Sequence, residues 1–178
     1  SVFAGTRKRL SSLVQRQCAA CASRVLFKRQ NRIRSPSGGL RSLQEALAGD
    51  MLVKYPNGKP FSGPVWPGEC GFPDFTSPRV RAWWGTLYRD LVELGVDGFW
   101  NDMNEPAVME VPNKTFPDDV RHNYDGNHCS HRKAHNIYGM QMARATYHGL
   151  KKFSYPKRPF VITRAAYSGT QRYTSTWT

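Results

Sequence analysis

The sequence predicts an α/β fold built on a parallel sheet, and three observations carry that expectation. Short apolar runs, Val96–Trp100 and Phe160–Ile162, each come after a longer stretch with helical spacing of apolar residues. A further short run, Tyr173–Trp177, has the aromatic and hydroxyl character of another strand. Polar residues capable of chemistry, Asp102 and Arg164, fall just past the carboxyl ends of the first two runs. Open and barrel-type parallel sheets both place their sites there.

The chain has 178 residues, enough for one ordinary domain with a real core. Its charge is uneven. Residues 1–44 carry ten Lys and Arg and no acid, whereas residues 45–178 carry sixteen basic and thirteen acidic residues. The division expected is therefore a basic, acid-free segment 1–44, disordered or not native to the domain, and a domain 45–178. A formal charge of +13 would ordinarily point to nucleic acid. Most of it sits in the first segment, so the domain itself is not expected to bind nucleic acid. No apolar run reaches the roughly 18 residues of a membrane helix, and no membrane partner is expected.

From residue 45 the elements can be read in order. Lys54–Phe75, "KYPNGKPFSGPVWPGECGFPDF", is dense in Gly, Pro and aromatic residues and reads as a long ordered connection. Ser77 as N-cap and Pro78 at the first helical position open a helix. Val80, Trp84, Leu87, Leu91 and Leu94 form its apolar stripe, and Gly95 ends it. A polar loop, about 106–129, precedes a second helix over about 131–153. Ala134, Ile137, Met140, Ala143, Tyr147 and Leu150 lie on one face of that helix, and Pro156 stops it.

Asp102 is the first candidate for chemistry. A carboxylate at a strand end can be a nucleophile, a base, a metal ligand or a loop cap. Its company narrows the choice. Trp100 and Met103 flank it, Trp66 lies in the Gly/Pro-rich connection, and Trp177 closes the last strand candidate. Aromatic faces pack on the C–H face of a pyranose, while carboxylates and arginines bind its hydroxyls. Glu105 is close enough in sequence to pair with Asp102 in the manner of a glycosidase. It would approach from the same side, however, and reads better as a residue that shapes the loop.

Other motifs are weaker. Cys18–Ala–Ala–Cys21 lacks the second pair that a zinc site needs, and the remaining thiols are Cys70 and Cys129. His131 and His135 have i, i+4 spacing without the intervening Glu of a zinc-protease helix. No metal and no cofactor are expected. Asn113–Lys–Thr115 fits a glycosylation acceptor, and no G-x-S-x-G nucleophile elbow is present.

"GFWNDMNEP" (Gly98–Pro106) resembles the nucleophile signature of glycoside hydrolase family 31, the α-glucosidase and α-xylosidase group. The resemblance continues in "GPVWPG" (Gly63–Gly68), "FPDFTSP" (Phe72–Pro78) and "RPFVITRAAYSGTQRY" (Arg158–Tyr173). It covers about residues 45–178. It implies part of a (β/α)8 barrel, with a retaining mechanism on α-linked glucosides or oligosaccharides. On that match Asp102 is the nucleophile, and Arg164 binds sugar hydroxyls. Trp66, Trp100, Met103 and Trp177 line the pocket. The family's general acid is an aspartate in a W-x-G-D motif, expected to lie just beyond Trp177–Thr178. The chain is thus expected to be a piece of a longer α-glucosidase, poorly active alone. A carbohydrate-binding protein that kept the pocket without hydrolysis is the alternative, and a nucleic-acid binder acting through residues 1–44 is a third.

Overall fold

The computed structural model describes residues 23–28, 38–65 and 68–177. Its centre is a sheet of four strands in the order β1 (Ser23–Lys28), β4 (Val96–Asn101), β7 (Phe160–Thr163) and β8 (Ser175–Thr176). β4, β7 and β8 run parallel, with Asn101 opposite Thr163 and Thr163 opposite Thr176. Helix α4 (His131–Phe153) forms most of the crossover from β4 to β7. These three strands and their crossover match the α/β expectation.

The amino-terminal side departs from it. β1 lies antiparallel along the free edge of β4, Ser23 opposite Asn101 and Lys28 opposite Val96. A parallel barrel has no antiparallel strand there. Pairing with β1 gives the edge of β4 backbone hydrogen-bond partners that it would otherwise lack. Regular structure also crosses residue 44, where the composition changes, because helix α1 spans Gly38–Ala48. The segment 1–44 is thus not wholly unstructured. Its other residues, including Cys18 and Cys21, lie outside the described ones.

The helix expected over 78–94 is two helices, α2 (Pro78–Thr86) and α3 (Arg89–Glu93). Pro78 opens α2 as expected, but Ser77 makes no side-chain cap bond. The break comes at Leu87 and Tyr88, whose amides bond to the carbonyls of Trp84 and Gly85, three residues back. This tighter turn brings Tyr88 into the core, its ring edge-on to Phe99 of β4 at 5.0 Å. Gly95, with φ at 82°, ends α3 in the left-handed region.

Helix α4 is buried on a face centred on Ala134, Tyr138, Met142 and Thr146, rotated from the stripe that the sequence suggested. Ile137, Met140 and Tyr147 are only half-buried. The rotation is set by a hydroxyl and two glycines. Thr146 spends its one proton on the Met142 carbonyl at 3.1 Å, so it accepts from Trp84 Nε1 at 3.2 Å and from the Tyr88 hydroxyl at 3.0 Å. Gly85 and Gly149 meet where α2 and α4 cross, and a methyl group on Gly149 would overlap the backbone of Gly85. Aromatic packing continues through Phe75, edge-on to both Trp84 and Tyr138.

Within the connections lie two hairpins, β2 (Ser62–Val65) with β3 (Gly68–Gly71), and β5 (Arg121–His122) with β6 (Cys129–Ser130). A buried polar chain joins them to α4. Asp74 Oδ1 accepts from His122 Nδ1 at 3.2 Å, and Thr76 donates to the same oxygen at 2.6 Å. His122 Nε2 lies 3.0 Å from His131 Nδ1, and His131 Nε2 lies 3.0 Å from His135 Nδ1. Rings that each donate through Nδ1 toward Asp74 satisfy every link of the chain. His131 and His135 are therefore bonded to each other, and among the described residues no cluster of ligands suited to a metal occurs.

Burial, then the neighbouring His122 and His135, push the pKa of His131 down to about 3. Burial opposes the Asp74 carboxylate, but bonds from His122, Thr76 and Asn123 outweigh it and lower its pKa. In both cases the unfolded chain binds protons more readily than the folded one, so stability falls as pH falls. For His131 the window runs from about 6.5 down to about 3.

Gly149→Ala should cost about 1–3 kcal/mol, read as a lowered urea midpoint, because the helix crossing has no room for a methyl group. The urea midpoint should also fall between pH 7.5 and pH 5. His131→Gln should lower it at both pH values and flatten its pH dependence.

Candidate functional site

Register builds the site. Because Asn101, Thr163 and Thr176 pair across three parallel strands, the next residues, Asp102, Arg164 and Trp177, emerge side by side at their carboxyl ends. Backbone bonds hold the alignment, from Arg164 N to Asn101 O at 2.9 Å and from Trp177 N to Thr163 O at 2.9 Å. Along β4, Phe99 points to the helices and Trp100 to the opposite face, as strand alternation requires. There the Trp100 and Trp177 rings meet edge-on with centroids 5.2 Å apart.

Asn104 ties the two leading strand ends together. It is 1% exposed. Its Nδ2 donates to Thr163 Oγ1 at 2.9 Å and to the Gly139 carbonyl at 3.4 Å, and its Oδ1 accepts from the Ala165 amide at 3.2 Å. One side chain therefore joins the loop after β4, the end of β7 and helix α4. Gly139 is required for that approach, since a Cβ there would lie 2.6 Å from the Asn104 carbonyl oxygen and 2.8 Å from the Ala165 Cβ. Met103, between Asp102 and Asn104, takes a left-handed backbone at φ 58°. That conformation is unfavourable for a side chain of this size and is held by its surroundings.

The electrostatics centre on one guanidinium. Arg164 donates from Nε to Glu105 Oε1 at 2.7 Å and from Nη2 to Oε2 at 2.9 Å, a bidentate pair. Its Nη1 lies 3.5 Å from Asp102 Oδ1. The bond to Glu105 is the largest influence on Arg164 and raises its pKa further, with the charges of Glu105 and Asp102 acting the same way against burial. Asp102 is 3% exposed and also accepts from the Met103 amide at 3.0 Å. With five N–H groups, Arg164 keeps one on each terminal nitrogen beyond these contacts.

Of the residues expected from the sequence, the structure brings together Asp102, Arg164, Trp100 and Trp177, with Met103 in the loop beside them. Trp66 lies outside the described residues. Glu105, expected to shape the loop, has both oxygens on Arg164. Asn104 had no role assigned from sequence. The signal available was its place two residues past a strand-end carboxylate, which gives no hint of the partner 59 residues away.

Comparison with known proteins identifies the family of this fold. The family model for the glycosyl hydrolases family 31 TIM-barrel domain matches residues 6–178, so the match takes in most of the basic segment. "Alpha-glucosidase 2" of Bacillus thermoamyloliquefaciens is 48% identical over 135 residues, covering 76% of this chain and 17% of that protein. "Neutral alpha-glucosidase AB" of Homo sapiens is 41% identical over 144 residues, covering 79% and 15%. The crystal structure of the glucosidase II alpha subunit bound to Glc1Man2 superposes with a TM-score of 0.71 at 35% identity, covering 84% of this chain and 16% of that one. A Flavobacterium johnsoniae family 31 dextranase complexed with glucose gives 0.69 at 36%, covering 79% and 17%. The chain thus spans about a sixth of the length of these relatives. With a family model over most of its length and relatives 48% and 41% identical, the chain belongs to glycosyl hydrolase family 31, as part of its TIM-barrel domain.

Proposed function

We propose that this chain supplies the nucleophile side of a retaining α-glucosidase active site within a longer enzyme. The observation that carries the reading is the side-by-side emergence of Asp102, Arg164 and Trp177 from three parallel strands. In this reading the Asp102 carboxylate attacks the anomeric carbon and the bond to the leaving oxygen breaks. A general acid outside these 178 residues protonates that oxygen. Water then hydrolyses the resulting β-glycosyl ester, with net retention of configuration. Two carboxyl groups suffice for this chemistry, so the proposal invokes no cofactor.

The ion pairs suit the covalent step. When Asp102 becomes an ester it loses its charge, and Arg164 with no other acid beside it would then lack a counter-ion. The bidentate Glu105 keeps the guanidinium neutralised throughout. The two spare N–H groups of Arg164 are available to sugar hydroxyls. Trp100 and Trp177, with Met103, wall the pocket. The relatives named above are glucosidases and a dextranase, which favours hydrolysis over binding alone.

The 178-residue chain by itself should turn over an aryl α-glucoside far more slowly than the longer enzyme. General-acid assistance is typically worth about 10²–10⁴-fold, and no W-x-G-D run occurs in the chain. In the longer enzyme, a mechanism-based glucosyl label should attach to the peptide containing Asp102, located by mass spectrometry. Asp102→Ala should lower kcat/KM by roughly 10⁴-fold or more. Labelling at another carboxylate, or an alanine variant of undiminished activity, would overturn the assignment.

A further inference from the structure

A second concave surface shares no residue with the strand-end site. It is a groove of about 350 Å³ between α2 and α4, at the Gly85–Gly149 crossing. Arg144, His148 and Lys152, four residues apart on α4, line one wall, and Arg81 of α2 lines the other. No carboxylate lines it. Its floor is made of glycine and alanine, and Phe153 closes one end.

The cations here are partly fixed. Arg81 Nη1 donates to the carbonyls of Phe75 and Thr76, each at 2.9 Å, and Nη2 pairs with Asp125 at 3.1 Å. Arg144 lies over the Tyr173 ring at 6.0 Å, and Lys152 Nζ is 5.7 Å from the centre of the Phe153 ring. Neither of these two pairs with a carboxylate among the described residues. The electrostatic consequence shows at His148. Burial first, then Arg144, Lys151 and Arg81, hold its pKa below the usual value.

We propose that this groove binds a small phosphate monoester with an apolar body. A phosphate monoester carries close to two negative charges at pH 7 and three acceptor oxygens, matching a groove in which Arg144 and Lys152 have no carboxylate partner among the described residues. Arg144 offers a fork to two oxygens, Lys152 adds point charge, and His148 adds an imidazole N–H donor. The small side chains of Ala82 and Ala145 leave room for the apolar part, which comes to rest beside Phe153. Inorganic phosphate would use only the charges, and an uncharged aromatic only the floor.

The test is calorimetric titration of the 178-residue chain with phenyl phosphate, beside separate titrations with phenol and inorganic phosphate. Phenyl phosphate should bind about tenfold tighter than either control. The imidazole signals of His148, tracked by NMR, should titrate at a higher pH in its presence. Lys152→Glu, at an exposed position, should weaken phenyl phosphate about tenfold or more. Arg132→Glu makes the same change in net charge at an exposed position outside the groove and should leave binding unchanged. Phenyl phosphate binding no tighter than the controls would overturn the proposal. Equal weakening by the two variants would also overturn it, since attraction would then come from the chain's overall charge.

Discussion

β4 and β7 lie parallel and in register, and the Asn104 amide closes their carboxyl ends. The backbone pairing alone would align the strands, but the residues just past a strand end are free to splay. Asn104 removes that freedom by bonding to the Thr163 hydroxyl, the Ala165 amide and the Gly139 carbonyl. Arg164 lies between two of these fixed points, and Asp102 lies two residues before Asn104 itself. Their 3.5 Å approach is therefore set by a polar contact that is itself fully buried. A buried amide left unbonded would cost more than it contributes when bonded, so the contact also selects against other arrangements of the loop.

Charge is arranged around the same point. A carboxylate as buried as Asp102 is tolerated only beside a cation, and Arg164 supplies it. The guanidinium in turn faces two acids, one nearly enclosed and one half-exposed. This asymmetry gives the two acids different work. Glu105 holds the arginine with both oxygens, whereas Asp102 meets it through one oxygen at a longer distance. The helices contribute at a remove. Thr146 and the Gly85–Gly149 crossing hold α4 close to α2, and α4 brings Gly139 to Asn104.

Much of this was legible in the sequence, because it depends on local pattern. Val96–Trp100 and Phe160–Ile162 read as strands, Pro78 marked the start of α2, and periodicity gave the extent of α4. Asp102 and Arg164 could be placed at strand ends from those runs alone. The features that escaped were decided by contacts distant in sequence. The break at Leu87 and Tyr88 exists because Tyr88 reaches Thr146 and Phe99, neither visible in a helical stripe. The buried face of α4 is set by the glycines and Thr146 more than by the larger apolar residues. The chain from Asp74 to His135 joins residues up to 48 positions apart, so only the His131–His135 spacing was noticeable beforehand. β1 escaped for another reason. Its apolar run is only Val25–Phe27 within a segment rich in Arg and Ser, and its partner is an edge far along the chain, Lys28 pairing with Val96 and Ser23 with Asn101.

The dependence on Asn104 is open to a direct measurement, a double-mutant cycle on unfolding free energy with Asn104→Ala, Thr163→Val and the pair. The account expects a coupling of about 1 kcal/mol or more, since each single change removes the bond between the two side chains and leaves the other's buried polar group one partner short. Effects that add to within about 0.3–0.5 kcal/mol would mean the two side chains act independently. The strand ends would then owe their alignment to backbone pairing alone, and the central claim would be contradicted.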